Sequence, residues 1–203
     1  MSRRALEKYS TEAVKQIALT GRTPTIDILD SLANNAEVSI EMLSRMGDAD
    51  DVRQQHACLK LIDDIVAYSL KPTGMKYVDV VRQGLKKAVD RSYEPDVQQH
   101  VLEQLALVAK PNDVAHVAMY LEVDQLAPTV AQMLVAMPDI DDRLAEAAKT
   151  NPAVKEKLLA VISARRGKAA SSASSVAGIA PAQKQKPTAL PLWTESLRRE
   201  VES

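Results

Sequence analysis

Residues 48–74, DADDVRQQHACLKLIDDIVAYSLKPTG, decide the fold class. Val52, Cys58, Leu59, Ile62, Ile65, Val66 and Ser69 recur at intervals of three or four, the period of a helix buried on one face. Acidic Asp48, Asp50 and Asp51 stand where a helix N-terminus favours negative charge, and Lys71-Pro72-Thr73-Gly74 ends the pattern. This segment is predicted to be the central core helix. The three aspartates lack the Gly and distal Glu of an EF-hand and are read as capping groups.

Working outward, the punctuation is helical on both sides. Val14, Ile17 and Ala18 share a face up to Gly21, which predicts a helix over about 3–20. Thr23-Pro24 reads as an N-cap with proline at the first helical position, followed by Ile28, Leu29 and Leu32 and an end near Asn34-Asn35. A short helix from Val38 to Met46 stops at Gly47, with Glu41 and Arg45 spaced for an i,i+4 pair.

Downstream, Val78, Val81, Leu85 and Val89 define one helix. Pro95 opens another, with Val97, Val101, Leu105 and Val108, and Pro111 closes it. Asn112-Asp113, Ala127-Pro128, Pro138-Asp139 and Asn151-Pro152 then mark the starts of four short helices, the first running through Leu121. The expected fold is all-α: an irregular bundle or short HEAT-like array of about nine short amphipathic helices with a disordered C-terminal tail. Asn151-Pro152-Ala153-Val154-Lys155-Glu156-Lys157-Leu158-Leu159 resembles leucine-rich-variant or HEAT-like helical repeats over that stretch, and no fixed repeat period extends it along the chain.

The composition agrees. Phe is absent and Trp occurs once, so the core must come from aliphatic residues and Met rather than from the aromatics that favour strands. One cysteine, Cys58, excludes an internal disulfide, and with three His it gives little from which to build a zinc site; a reducing cytoplasm fits. No apolar run spans a bilayer, and the start, Met1-Ser2-Arg3-Arg4, lacks a secretory signal, so the mature chain is expected to begin there.

Three domains of character are expected: a helical domain over 1–166, a flexible Ala/Ser/Lys linker over 167–189, and a short docking segment over 190–203. The chain's formal charge of −1 is unevenly placed, since residues 164–203 hold seven Lys/Arg and three Glu, a net +4 that leaves −5 on residues 1–163. In the last segment Trp193, Leu197 and Val201 are four apart and line one helical face.

Motifs for chemistry are missing. The chain has no G-x-x-x-x-G-K-[ST], G-x-G-x-x-G, G-x-S-x-G or H-E-x-x-H, and no catalytic, cofactor or metal residues are assigned. Cys58 is read as core, since His56 two positions earlier faces away from it. His100 and His116 sit on neighbouring predicted helices without a third ligand, and Asp63-Asp64 reads as a solvated helix edge. Met42, Met46, Met75, Met119, Met133 and Met137 read as core filler. Arg165, Arg166, Lys168, Lys184 and Lys186 form a sparse basic tract.

The functional expectation is therefore a non-enzymatic cytoplasmic adaptor or scaffold subunit of a larger assembly that binds a protein partner through grooves between its short helices and a tethered C-terminal peptide. Leu190, Leu192, Trp193, Leu197 and Val201 would anchor it, with Arg198 and Arg199 as a charged rim. Alternatives are a nucleic-acid-associated regulator that uses the basic tract, and a secreted effector with the tail as its address.

Overall fold

The computed structural model describes residues 3–48, 51–91 and 94–177, with backbone alone for 168–177. Among these residues there are ten α-helices and no strands: α1 (Arg3–Thr20), α2 (Ile26–Asn34), α3 (Ala36–Gly47), α4 (Val52–Ser69), α5 (Val78–Val89), α6 (Pro95–Val108), α7 (Val114–Ala118), α8 (Ala127–Ala136), α9 (Asp141–Thr150) and α10 (Lys155–Ala177). Short 3-10 turns at Met75–Tyr77, Pro111–Asp113 and Met119–Glu122 join them. The chain divides into the units Met1–Arg165 and Arg166–Ser203, and the packing described below belongs to the first.

Helix α4 starts where its acidic cap places it. Asp51 Oδ1 accepts from the amides of Arg53 (2.9 Å) and Gln54 (3.3 Å), satisfying two N–H groups that have no partner within the helix. Ala57, Cys58, Leu61, Ile62, Ile65, Val66, Tyr68 and Ser69 are buried. Val52, expected on this face, is exposed, because a residue six before Cys58 lies about 120° round the helix from it. Helix α4 contacts α1, α2, α3, α5 and α6, so it is the core element that its pattern predicts.

Elsewhere the helices pack mainly on those near them in the chain: α3 on α5, α5 on α6, α6 on α8 and α7 on α9. Helices α3 and α5 approach closely: a Cβ on Gly84 would meet the Ala36 carbonyl oxygen at 2.6 Å and the Glu37 nitrogen at 3.0 Å. Gly21 ends α1 in the left-handed region, φ 66°, with its amide donating to the Ile17 carbonyl at 2.7 Å. Leu32, Ile40, Leu43, Leu61, Ile62, Leu85, Leu102, Leu105 and Leu134 lie fully buried in one aliphatic core, and each stabilises the fold by about 1.5–3 kcal/mol relative to an exposed position.

Several boundaries differ from the sequence reading. Helix α2 begins at Ile26, since Thr25 stays extended (φ −64°, ψ 157°) and serves as the N-cap position in place of Thr23. The Thr23 hydroxyl is engaged with α4, donating to Asp64 at 3.3 Å and accepting from Lys60 at 3.3 Å. Glu41 reaches Arg91 beyond the end of α5 at 3.5 Å. The segment from Asn112 through Leu121 is not one helix but α7 between two 3-10 turns.

Helical backbone in α10 continues through Gly167 to Ala177, residues read as the start of a linker. The alanines there have high helix propensity, and a helix already nucleated by its packed first turns extends at little cost. Residues 178–203, which hold the rest of that linker and the docking segment, lie outside the described residues.

Replacing Gly84 by alanine is expected to lower stability by about 1–3 kcal/mol, because backbone atoms of α3 occupy the space the methyl needs. Urea denaturation followed by circular dichroism checks this, and an unchanged midpoint would contradict the close approach.

Candidate functional site

The unit Met1–Arg165 carries two arrangements able to do work at a surface or a seam: an apolar groove between α8 and α10, and a polar seam between α5 and α7. Helix α8, APTVAQMLVA, has no ionisable side chain. It buries Val130, Met133 and Leu134 and leaves Ala127, Ala131 and Val135, four residues apart, along a second stripe. Opposite them α10 presents Ala160, Val161 and Ala164, and Leu121 closes one end of a groove of about 360 Å³.

Two cations of α10 fix the groove's ends. Lys157 Nζ donates to the Leu121 carbonyl at 2.7 Å and pairs with Asp124 at 3.1 Å. Eight residues on, the Arg165 guanidinium donates to the carbonyls of Leu134 (2.9 Å), Val135 (3.1 Å) and Met137 (2.6 Å), and its Nε donates to Asp141 at 2.6 Å. These carbonyls end α8, where cations bind favourably because the helix supplies them no amide. Between these clamps the walls are small residues, so a groove is left where larger side chains would have filled the gap.

Arg165 was grouped with the basic tract on sequence; it is built into the fold instead, with its side chain 13% exposed. Asp141 sits in the first turn of α9 and receives that Arg165 Nε. A signal for this was present in the sequence: Met137-Pro138 ends α8 without a glycine, leaving carbonyls that need another donor.

The seam is of opposite character. Along α5, Asp79, Arg82, Lys86 and Asp90 lie at helical spacing on one stripe, facing Lys110, Asp113, His116 and Tyr120. Lys110 reaches Asp79 at 2.6 Å, and Arg82 Nη1 donates to both oxygens of Asp113 at 2.8 and 3.0 Å. Lys86 Nζ reaches Asp113 at 2.9 Å, and the Lys110 amide donates to Asp113 at 2.9 Å. The Asp113 side chain has no exposure to solvent. Burial alone would lift its carboxyl, but the Lys110 amide, Lys86 and Arg82 outweigh that and hold its pKa below the ordinary carboxylate value.

At the end of the stripe Asp90 accepts from the Tyr120 hydroxyl and lies 3.3 Å from His116 Nε2, whose ring meets Tyr120 edge-on at 5.8 Å. Burial lowers the His116 pKa more than the Asp90 charge raises it. His100 belongs to a different contact: its Nε2 is 2.7 Å from Asp63 Oδ1, joining α6 to α4. Burial opposes charge on His100, but the hydrogen bond and charge of Asp63, with Glu103 and the Leu59 carbonyl, raise its pKa above the ordinary value.

Asp63-Asp64 is thus more than a solvated edge: Asp63 binds His100 and Asp64 pairs with Lys60 at 3.1 Å. Asp30 accepts the hydroxyls of Tyr68 (2.8 Å) and Tyr77 (3.0 Å), tying α2 to α4 and to the turn before α5. Cys58 is buried as expected, and burial pushes its thiol up to about 12. Met42, Met133 and Met137 are core, while Met75 and Met119 are exposed. Among the described residues no group of three His, Cys, Asp or Glu side chains is placed to hold a metal ion, and no helix is long and apolar enough to cross a membrane.

Leu190, Leu192, Trp193, Leu197 and Val201, offered by the sequence as partner anchors, and Arg198 and Arg199, offered as their charged rim, lie outside the described residues. Grooves between helices were expected, but not which helices form one, because Ala127, Ala131 and Val135 at i, i+4 and i+8 look like ordinary helix filler until their neighbour is known. The chain matches no protein family, curated protein or solved structure.

Asp113→Ala leaves Arg82 and Lys86 facing each other without their carboxylate, and is expected to cost about 3–5 kcal/mol in urea unfolding. The depressed Asp113 pKa adds stability that is present above the unfolded value of about 3.9 and is lost as pH falls through the lower folded value. His100 works in the opposite sense: its stabilisation is complete below about 6.5 and is lost as pH rises through its raised folded pKa. Histidine ring NMR titration is expected to place His100 above His116, with Asp63→Asn bringing His100 down.

Proposed function

We propose that this chain is a non-enzymatic cytoplasmic scaffold, a subunit of a larger assembly, that holds a helix of a protein partner in the α8–α10 groove. Its own Leu190–Val201 segment makes a second contact on that assembly. The observation that carries the reading is the groove itself. Its walls are Ala127, Ala131, Val135, Ala160 and Ala164, in rows four residues apart on two adjacent helices, with both ends fixed by Lys157 and Arg165.

A third helix with a row of apolar side chains fits between two such rows, the mode in which helices dock into helical grooves. Small residues bring the incoming backbone close, and the pinned ends mean that little ordering is required on binding. The paired aspartates support a binding role over a chemical one: Asp30, Asp63 and Asp113 each engage residues of other helices. Trp193, Leu197 and Val201 form the apolar row of the second contact, and joining two contacts in one chain raises the effective concentration of each for the other.

Affinity capture from native lysate with the full-length chain and two full-length variants tests both contacts. Ala160 is exposed, so Ala160→Arg fills the groove without disturbing the core and is expected to lower partner recovery about tenfold, roughly 1.4 kcal/mol. Trp193→Ala is expected to lower recovery of the same partner by a similar factor, as loss of an aromatic anchor does. Recovery unchanged in Ala160→Arg removes the groove from the reading, and recovery unchanged in Trp193→Ala removes the C-terminal contact; both unchanged defeats the proposal.

A further inference from the structure

The cations that pin the α8–α10 groove are turned toward the protein. Arg165 is 13% exposed, with Nε on Asp141 and Nη1 on the carbonyls of Leu134, Val135 and Met137. Lys157 is committed to the Leu121 carbonyl and to Asp124. The carboxylates that answer these cations face water instead. The Asp124 side chain is 96% exposed and the Asp141 side chain 74%, and each gives Oδ1 to its cation, which leaves Oδ2 for a further donor.

Between these two carboxylates the walls carry no charge. Helix α8 has no ionisable side chain, and α10 runs from Leu158 through Ala164 without one. Lys157 and Arg165 are eight residues apart, about 12 Å along the helix, which is room for two turns of an incoming helix. The surrounding body has the same sign as the two ends, since residues 1–163 carry a net −5.

We propose that the partner held in this groove is a basic amphipathic helix: a short apolar row, four residues apart, seats on the alanine walls, and lysine or arginine side chains bracketing that row reach Asp124 and Asp141. This rests on the groove reading above and adds the chemistry of the occupant. The apolar row supplies most of the affinity. The exposed ion pairs set discrimination and salt dependence, because charges at a wet rim are screened and weak one by one. An acidic helix with the same apolar row meets a carboxylate at each end and a like-charged body behind them, so repulsion rejects it.

Two labelled synthetic peptides test the charge, identical in a row of leucines at i, i+4 and i+8 and differing only in Lys or Glu beside that row. Fluorescence anisotropy against the purified full-length chain at low salt is expected to show the Lys peptide binding about tenfold tighter than the Glu peptide, a gap that closes as salt is raised. Asp124→Asn changes a side chain almost wholly in water, leaves the fold intact, and is expected to cut the preference to about threefold. Adding Asp141→Asn is expected to remove it, and Ala160→Arg to lose both peptides. Equal affinities for the two peptides, or a preference undiminished in Asp124→Asn, would overturn the basic partner, while affinity capture with Ala160→Arg judges the groove separately. If neither peptide binds until Trp193→Ala frees the groove, the occupant is the chain's own Leu190–Val201 segment. If the peptides bind only once the chain is diluted, the occupant is a second copy, and either result overturns the basic partner as well.

Discussion

A carboxylate held away from water must be neutralised where it stands, and the arrangement around Asp113 follows from that requirement. Two cations from α5 and one amide from the turn before α7 converge on it. Removing water makes each bond stronger and makes loss of any partner more costly. The site therefore fixes the distance and rotation of α7 against α5 more tightly than an aliphatic contact would, because hydrophobic burial has no preferred direction and a forked guanidinium does.

The two ends of the helical body use different physics. Around α4 the helices are joined by Leu, Ile, Val and Ala with polar bonds at the margins, among them the Asp30 and Asp63 contacts. Beyond α6 a stripe of charges takes over on one side, and on the other α8 and α10 meet through alanines with Lys157 and Arg165 at the ends. Both arrangements leave something unfinished: a ring nitrogen without a partner in the seam, and unfilled volume in the groove. The well-packed α4 region gives the chain a stable base from which those two features are displayed.

Much of the fold could be read from periodicity, because a helix on an aliphatic core must repeat its apolar residues every three or four positions. That logic located α1, α4, α5 and α6 and assigned Cys58, Ile62, Ile65 and Val66 to the interior. It failed where a polar residue serves a distant partner. Thr23 looked like a cap and bonds to α4; Asp63 looked solvated and holds His100; Arg165 looked like part of a basic tract and caps α8. Each of these depends on a residue tens of positions away, which local spacing does not encode. The Ala/Ser composition after Gly167 likewise suited a linker as well as the helix that α10 forms through Ala177.

The order of charges along the seam has a consequence for how the chain finds its own alignment. Asp79, Arg82 and Lys86 on α5 read minus, plus, plus against Lys110 and Asp113, plus and minus. A slip of one turn in one direction would set Lys110 against Arg82, and a slip in the other would set Asp113 against Asp79. Alanine-rich helices slide past one another at little cost, as nothing in their surfaces marks one position from the next. The stripe supplies that mark, so the second half of the array is indexed to the first.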